Sequence, residues 1–128
     1  MLDDVDRDGR LDLIATNWNY EALSVYRNRG DGRFAAPTRQ PTGHGPTRLA
    51  NGDFDGDGVV DLAVLSGAMV NLLRGDGAGG FAPYESLATA NFGWSLNVGD
   101  LDGDATLDLA IWGGADVTVL FNQSRRCR

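Results

Sequence analysis

The sequence predicts an all-β chain of repeated four-stranded antiparallel blades, about two and a half of them. Two observations predict it. An aspartate-rich loop recurs, beginning at Asp4, Asp53 and Asp100, so its period is 49 and then 47 residues. Each period also holds several short apolar or alternating runs punctuated by glycine-rich turns, the signature of strands. Four strands in a period of about 40–50 residues is the pattern of a β-propeller blade. The repeats fall at approximately 1–44, 45–91 and 92–128, within a single partial propeller domain.

In each period the first strand precedes the loop: Thr47–Asn51 in the second repeat and Trp94–Val98 in the third. In the first repeat it is cut short, because Met1-Leu2 runs straight into the loop, and an upstream part of a longer protein is expected. The second strand follows the loop as Leu13–Thr16, Leu62–Leu65 and Leu109–Trp112. These runs are nearly all apolar, which suits a strand covered on both faces. The third strand alternates: Leu23–Tyr26, Met69–Leu73 and Val117–Phe121. Glycine-rich turns follow at 28–33 and 74–80, then a fourth strand beginning at Phe34 or Phe81. Pro37, Pro41 and Pro83 mark that strand as an edge, where a missing N–H is tolerated. The third repeat stops at Asn122, before its turn.

The loops carry the chemistry. Each reads D-x-D-x-D-(G/A)-x-x-D, giving Asp4, Asp6, Asp8 and Asp12; Asp53, Asp55, Asp57 and Asp61; Asp100, Asp102, Asp104 and Asp108. Alternate residues of a curled loop turn their side chains toward one point, and Ca²⁺ takes six to eight oxygen ligands, chiefly carboxylates and carbonyls. The seventh position (Arg10, Val59, Thr106) is expected to contribute its backbone carbonyl. Without a cation, four neighbouring carboxylates repel one another, by about 1 kcal/mol per pair at 4 Å even in water. Up to three Ca²⁺ are therefore expected. An EF-hand does not fit: it needs a glutamate at position 12 and flanking helices, whereas position 12 is Ala15, Val64 or Ile111 in strand-like surroundings. The sixth position must turn sharply, which suits Gly9 and Gly58. Ala105 fills that slot in the third loop, so the Asp100–Asp108 site is expected to lose its ion first.

Composition agrees. With 128 residues and 42% hydrophobic side chains, the chain is long enough for one small globular domain. The formal charge is −7, yet twelve of the 18 acidic residues sit in the three loops, leaving six against 11 basic residues. The acidity is concentrated where a metal would neutralise it rather than spread as a face for a basic partner. No nucleic-acid partner is expected. No segment is long and apolar enough to insert in a membrane, and no signal peptide is visible. Cys127 is the single cysteine, so it forms no internal disulfide and is expected to be inert.

Several residues invite functional readings. Arg29-Gly30-Asp31 and Arg74-Gly75-Asp76 spell an adhesion tripeptide, but both occupy the turn before a fourth strand, where Gly and Asp serve the turn itself. His44, the single histidine, is expected in a surface connection. Trp18, Trp94 and Trp112 are expected mainly in blade packing, with Trp18-Asn-Tyr20 the best candidate for an exposed sugar-stacking platform. No nucleophile elbow, P-loop or Cys/His metal spacing occurs. The paired carboxylates are too closely spaced to flank a glycosidic bond, so a non-enzymatic role is expected.

On these loops and turns, from Asp4 to Asn122, the chain resembles the FG-GAP/VCBS repeats. These are the calcium-binding blade units of integrin α-subunit propellers and of many bacterial and fungal extracellular proteins. Phe92-Gly93 is the single trace of the Phe-Gly that names them. The resemblance implies a secreted or cell-surface adhesion or recognition module with structural Ca²⁺, whose ligand is a protein or a glycan. It also implies further blades in a longer chain, or self-association. A lectin-like propeller, or an accessory part of an extracellular polysaccharide-degrading enzyme, are the alternatives.

Overall fold

The structure, a computed structural model, describes residues 1–123. Cys127 lies outside them. The described residues form three antiparallel sheets. The first comprises β1 (Leu2–Asp3), β2 (Asp12–Asn17), β3 (Ala22–Tyr26) and β4 (Thr38–Pro41). The second comprises β5 (Pro46–Gly52), β6 (Asp61–Ser66), β7 (Met69–Gly75) and β8 (Phe81–Ala88). The third comprises β9 (Ser95–Gly99), β10 (Asp108–Gly113) and β11 (Asp116–Leu120). In each sheet the strands are hydrogen-bonded in sequence order, and each sheet is one blade of a partial propeller.

Side-chain alternation explains how the blades stack. Ile14 on β2 and Val25 and Leu23 on β3 share one face of blade 1 and meet Leu62, Val64 and Leu73 of blade 2. The other face of blade 2, with Ala63, Leu65, Val70 and Leu72, meets Leu109 and Ile111 of blade 3. Blade 2 is therefore covered on both faces, and every residue of β6 is buried, as its unbroken apolar run predicts. Gly93 lets the chain cross this second joint. A Cβ there would lie 2.6 Å from Ile111 Cγ2 and 2.7 Å from Leu65 Cδ2.

The structure corrects two expectations. The fourth strand of blade 1 begins at Thr38, not Phe34. Phe34 makes only an isolated bridge to Asn28, and Pro37, which has no N–H, separates it from the ladder. The proline at Pro83 is accommodated differently, inside edge strand β8 opposite a register shift between Leu72 and Leu73. The tryptophans are not packed between blades. Trp18, Trp94 and Trp112 are 64%, 62% and 50% exposed. Trp18 lies in a 3-10 turn (Trp18–Tyr20) outside the ladder, beside Gly45; Trp94 precedes β9; Trp112 is on the uncovered face of blade 3.

Candidate metal centre

Each loop connects the first strand of its blade to the second, and the same hydrogen bonds shape all three. The amide at the sixth position donates to the first aspartate: Gly9 to Asp4 (2.8 Å), Gly58 to Asp53 (2.9 Å), Ala105 to Asp100 (3.1 Å). The seventh-position amide donates to the fifth aspartate: Arg10 to Asp8 (2.9 Å), Val59 to Asp57 (2.8 Å), Thr106 to Asp104 (2.9 Å). Short polar side chains folding back on their own backbone are the reason aspartate suits such turns.

The ninth aspartate plays a different part. Asp12, Asp61 and Asp108 are each 0% exposed. One oxygen accepts from the loop's second residue, at 3.2 Å from Val5, 3.0 Å from Phe54 and 2.9 Å from Leu101. The other accepts from the residue at or just past the end of the third strand, at 2.8 Å from Asn28, 2.9 Å from Gly75 and 2.8 Å from Asn122. This carboxylate is thus a strut tying loop to sheet, a role the spacing did not reveal. Burial pushes the Asp61 carboxyl above the usual carboxylate range. The N–H groups of Gly75 and Phe54 oppose that shift, and the nearby charges of Asp55 and Asp57 add to it.

Three acidic clusters could hold a metal ion. Asp4, Asp6 and Asp8 offer oxygens within 4.8 Å of one another, as do Asp53, Asp55 and Asp57. In the third loop the group so gathered is Asp100, Asp102 and Asp108, while Asp104 Oδ1 takes the Thr106 N–H and hydroxyl. The donors are oxygen alone, which fits a hard cation such as Ca²⁺ rather than a thiolate- or imidazole-seeking metal. Arginines reach the same carboxylates: Arg10 pairs with Asp8, Arg74 with Asp55, and Arg27 lies 3.9 Å from Asp6.

The sharp turn at position six is present in every copy, with φ of 84° at Gly9, 80° at Gly58 and 66° at Ala105. Position four is left-handed as well, at 62° in Arg7 and 80° in both Gly56 and Gly103. Ala105 is therefore not the sole strained residue; the first loop carries one in Arg7. The signal was available, since two of three copies have glycine there. Arg7 is held by its guanidinium, which donates to Gly58 O at 2.8 Å across the joint. Only the middle loop has glycine at both positions.

The remaining candidates are also placed. Asp76 of the second Arg-Gly-Asp triplet accepts from the Ala78 and Gly80 amides at 2.7 and 2.9 Å, which hold its carboxyl below the usual range. Arg74 of that triplet lies over the Tyr84 ring. Asp31 accepts from Arg33 in its own turn. His44 is exposed in the β4–β5 connection and pairs with Glu21. Sequence reasoning missed an open pocket of about 540 Å³ at the hairpin end of the blades, where Trp18, Phe92 and Trp94 stand with Thr47 and Arg48.

The model for FG-GAP-like repeats matches residues 4–64 and 53–111, spans that take in all three loops. The chain belongs to the FG-GAP-like repeat family. Among solved structures, these FG-GAP repeats are similar to a lectin of Agrocybe aegerita described by its specific recognition of non-reducing terminal N-acetylglucosamine. Identity is 26%, over 94% of this chain and 34% of the lectin chain, with a TM-score of 0.61. They also share the fold of part of the Photorhabdus luminescens Tc holotoxin pore, at 21% identity over 91% of this chain and 6% of that one, TM-score 0.61. The chain thus spans about a third of the lectin's length. No curated protein matches it significantly. Among the described residues, no helix is long and apolar enough to cross a membrane.

Proposed function

We propose that this chain is a calcium-binding recognition module of an extracellular protein, non-enzymatic, with Ca²⁺ holding each loop in shape. One observation supports it above the rest: three loops of the same hydrogen-bonded design, each gathering aspartate oxygens to one point. Asp4, Asp6, Asp8 and Asp12, with the Arg10 carbonyl, would hold the first ion. Asp53, Asp55, Asp57, Asp61 and the Val59 carbonyl would hold the second, and Asp100, Asp102, Asp104, Asp108 and the Thr106 carbonyl the third. The bound ion would neutralise the clustered charge. Calorimetric titration with CaCl₂ is the test; saturable binding to more than one site is expected, at dissociation constants of about 10⁻⁴–10⁻³ M. Absence of saturable binding would reject the reading.

The middle site should bind tightest. A left-handed residue with a Cβ costs roughly 1–2 kcal/mol, about 5- to 30-fold in affinity if the loop must keep that geometry for the ion. Ala105→Gly should tighten the third site by that factor and Gly58→Ala should weaken the middle one. A Cβ on Gly58 would meet nothing within 4 Å, so the change is conformational, not steric. If both variants titrate like the unmodified chain, loop strain does not set affinity.

A second reading is favoured by the aromatic pocket. Three rings beside a threonine and an arginine present apolar faces for sugar C–H groups and donors for sugar hydroxyls. Together with the 26% identity to the lectin, this makes a terminal N-acetylglucosamine a candidate ligand. Tryptophan fluorescence should report saturable binding of the free sugar, and Trp94→Ala should weaken it at least about tenfold, a loss of about 1.4 kcal/mol. A titration indistinguishable from that of mannitol would remove this reading and leave the first intact.

A further inference from the structure

Among the described residues, two blade faces are left without the partner that the other faces have. Trp112, Val117, Val119 and Leu101 of blade 3 occupy the positions that Leu65, Val70, Leu72 and Phe54 hold in blade 2. In blade 2 these are 0%, 0%, 6% and 4% exposed, because blade 3 covers them; in blade 3 they are 50%, 62%, 38% and 52% exposed. The ladder confirms the shared face: Trp112 pairs with Val117 and Ala110 with Val119, as Leu65 pairs with Val70 and Ala63 with Leu72.

The complementary face is on blade 1. Leu13 and Ala15 stand where Leu62 and Val64 stand in blade 2, and Leu11 where Val60 does. Leu62 and Val64 are fully buried against blade 1. Leu13 and Ala15 are only half-buried, and Leu11 is 55% exposed. The chain therefore carries both halves of a joint that it already builds twice internally. Each such joint also has a polar tie at the loop's second residue: Val5 O accepts the Gly79 N–H at 3.0 Å, and Phe54 O accepts from Asn122 Nδ2 at 2.7 Å. Leu101 is the corresponding residue of blade 3.

We propose that two copies of this chain close head to tail into one six-bladed ring, blade 3 of each covering blade 1 of the other. The blade count selects the number of copies. Closed propellers have about four to eight blades, and the described residues supply three sheets per copy. One copy falls below the range, three exceed it, and two fall within it. A heterologous contact of this kind generates a closed ring when its rotation closes, and closure leaves neither face uncovered.

Sedimentation velocity on the 128-residue chain, with calcium present throughout, is the test. A species of twice the 13.7 kDa chain mass is expected, dissociating on roughly hundred-fold dilution if association is moderate. Val117→Lys on the blade 3 face and Leu11→Lys on the blade 1 face should each weaken the dimer at least about tenfold. Both positions are exposed, so circular dichroism should be unchanged. An equimolar mixture of the two variants should regain dimers, because one joint then has two unmodified faces. A chain that stays at 13.7 kDa at every concentration overturns the proposal. So does growth into open polymers, or dimers that Val117→Lys abolishes and Leu11→Lys leaves intact, which would mean pairing of like faces.

Discussion

Chelating calcium should lower the melting temperature of this chain by more than about 10 °C. A ligand that binds only the folded state stabilises it by RT ln(1 + [L]/Kd). At about 10 mM Ca²⁺ and dissociation constants of about 10⁻⁴–10⁻³ M, each site contributes roughly 1.4–2.7 kcal/mol. Three sites together would contribute about 4–8 kcal/mol, and a domain of this size shifts by roughly 3–5 °C per kcal/mol. The first and third loops, each with one strained residue, pull the sum toward the lower end. The coupling has a clear structural route. Each loop joins two strands of a blade, and in the first two loops the second residue lies in a joint between blades: Val5 in the first core cluster and Phe54 in the second. Loosening either of these loops therefore loosens two blades. Differential scanning calorimetry in EDTA and in excess CaCl₂ makes the measurement. Superimposable transitions would show that no ion is coupled to folding.

Much of this was legible in the sequence because a repeated unit exposes its own rules. The loop positions, the second strands and the need for a left-handed sixth residue all follow from spacing and from the limited tolerance for positive φ. What stayed hidden depends on contacts across the sheet and between blades. Phe34 looks like Phe81 in sequence, yet only Phe81 begins a strand, since Pro37 breaks the first copy before the ladder forms. Trp112 sits in a run that reads as buried, and it is exposed because no other described blade packs on its side of blade 3. Arg7 was legible as a strained residue only by comparison with Gly56 and Gly103 at the same position of the other loops; what holds it, Gly58 O 51 positions away, was not. The ninth aspartate reads as one more ligand. That it also holds the loop to the sheet follows from its two buried amide partners, one of which lies 14 to 16 residues away.

The strut, together with the proposed part as a ligand, makes Asp61 the substitution with the largest expected effect. Its carboxylate is fully buried and accepts the Phe54 and Gly75 N–H groups, at 3.0 and 2.9 Å. Asp61→Ala leaves both amides without their acceptor, at about 1–3 kcal/mol each, so a loss of about 2–6 kcal/mol is expected even in EDTA. Glycine at position 75 blocks one form of relief: a Cβ there would sit 2.1 Å from Val60 O, so backbone already fills the space on that side. Asp61→Asn separates strut from ligand. It keeps the shape and one acceptor oxygen, and it removes a charge whose burial is unfavourable without a cation, as the raised pKa of Asp61 indicates. In EDTA the asparagine variant should therefore lose less than the alanine variant. In CaCl₂, where a ligating carboxylate gains from its charge, its deficit relative to the unmodified chain should widen. Urea unfolding of the three proteins in both buffers gives the comparison. If Asp61→Ala unfolds within about 1 kcal/mol of the unmodified chain in EDTA, the strut is not a support of the fold. If the asparagine deficit is the same in both buffers, Asp61 does not ligate the ion, and the remaining aspartates of the middle loop hold it without help from the strut.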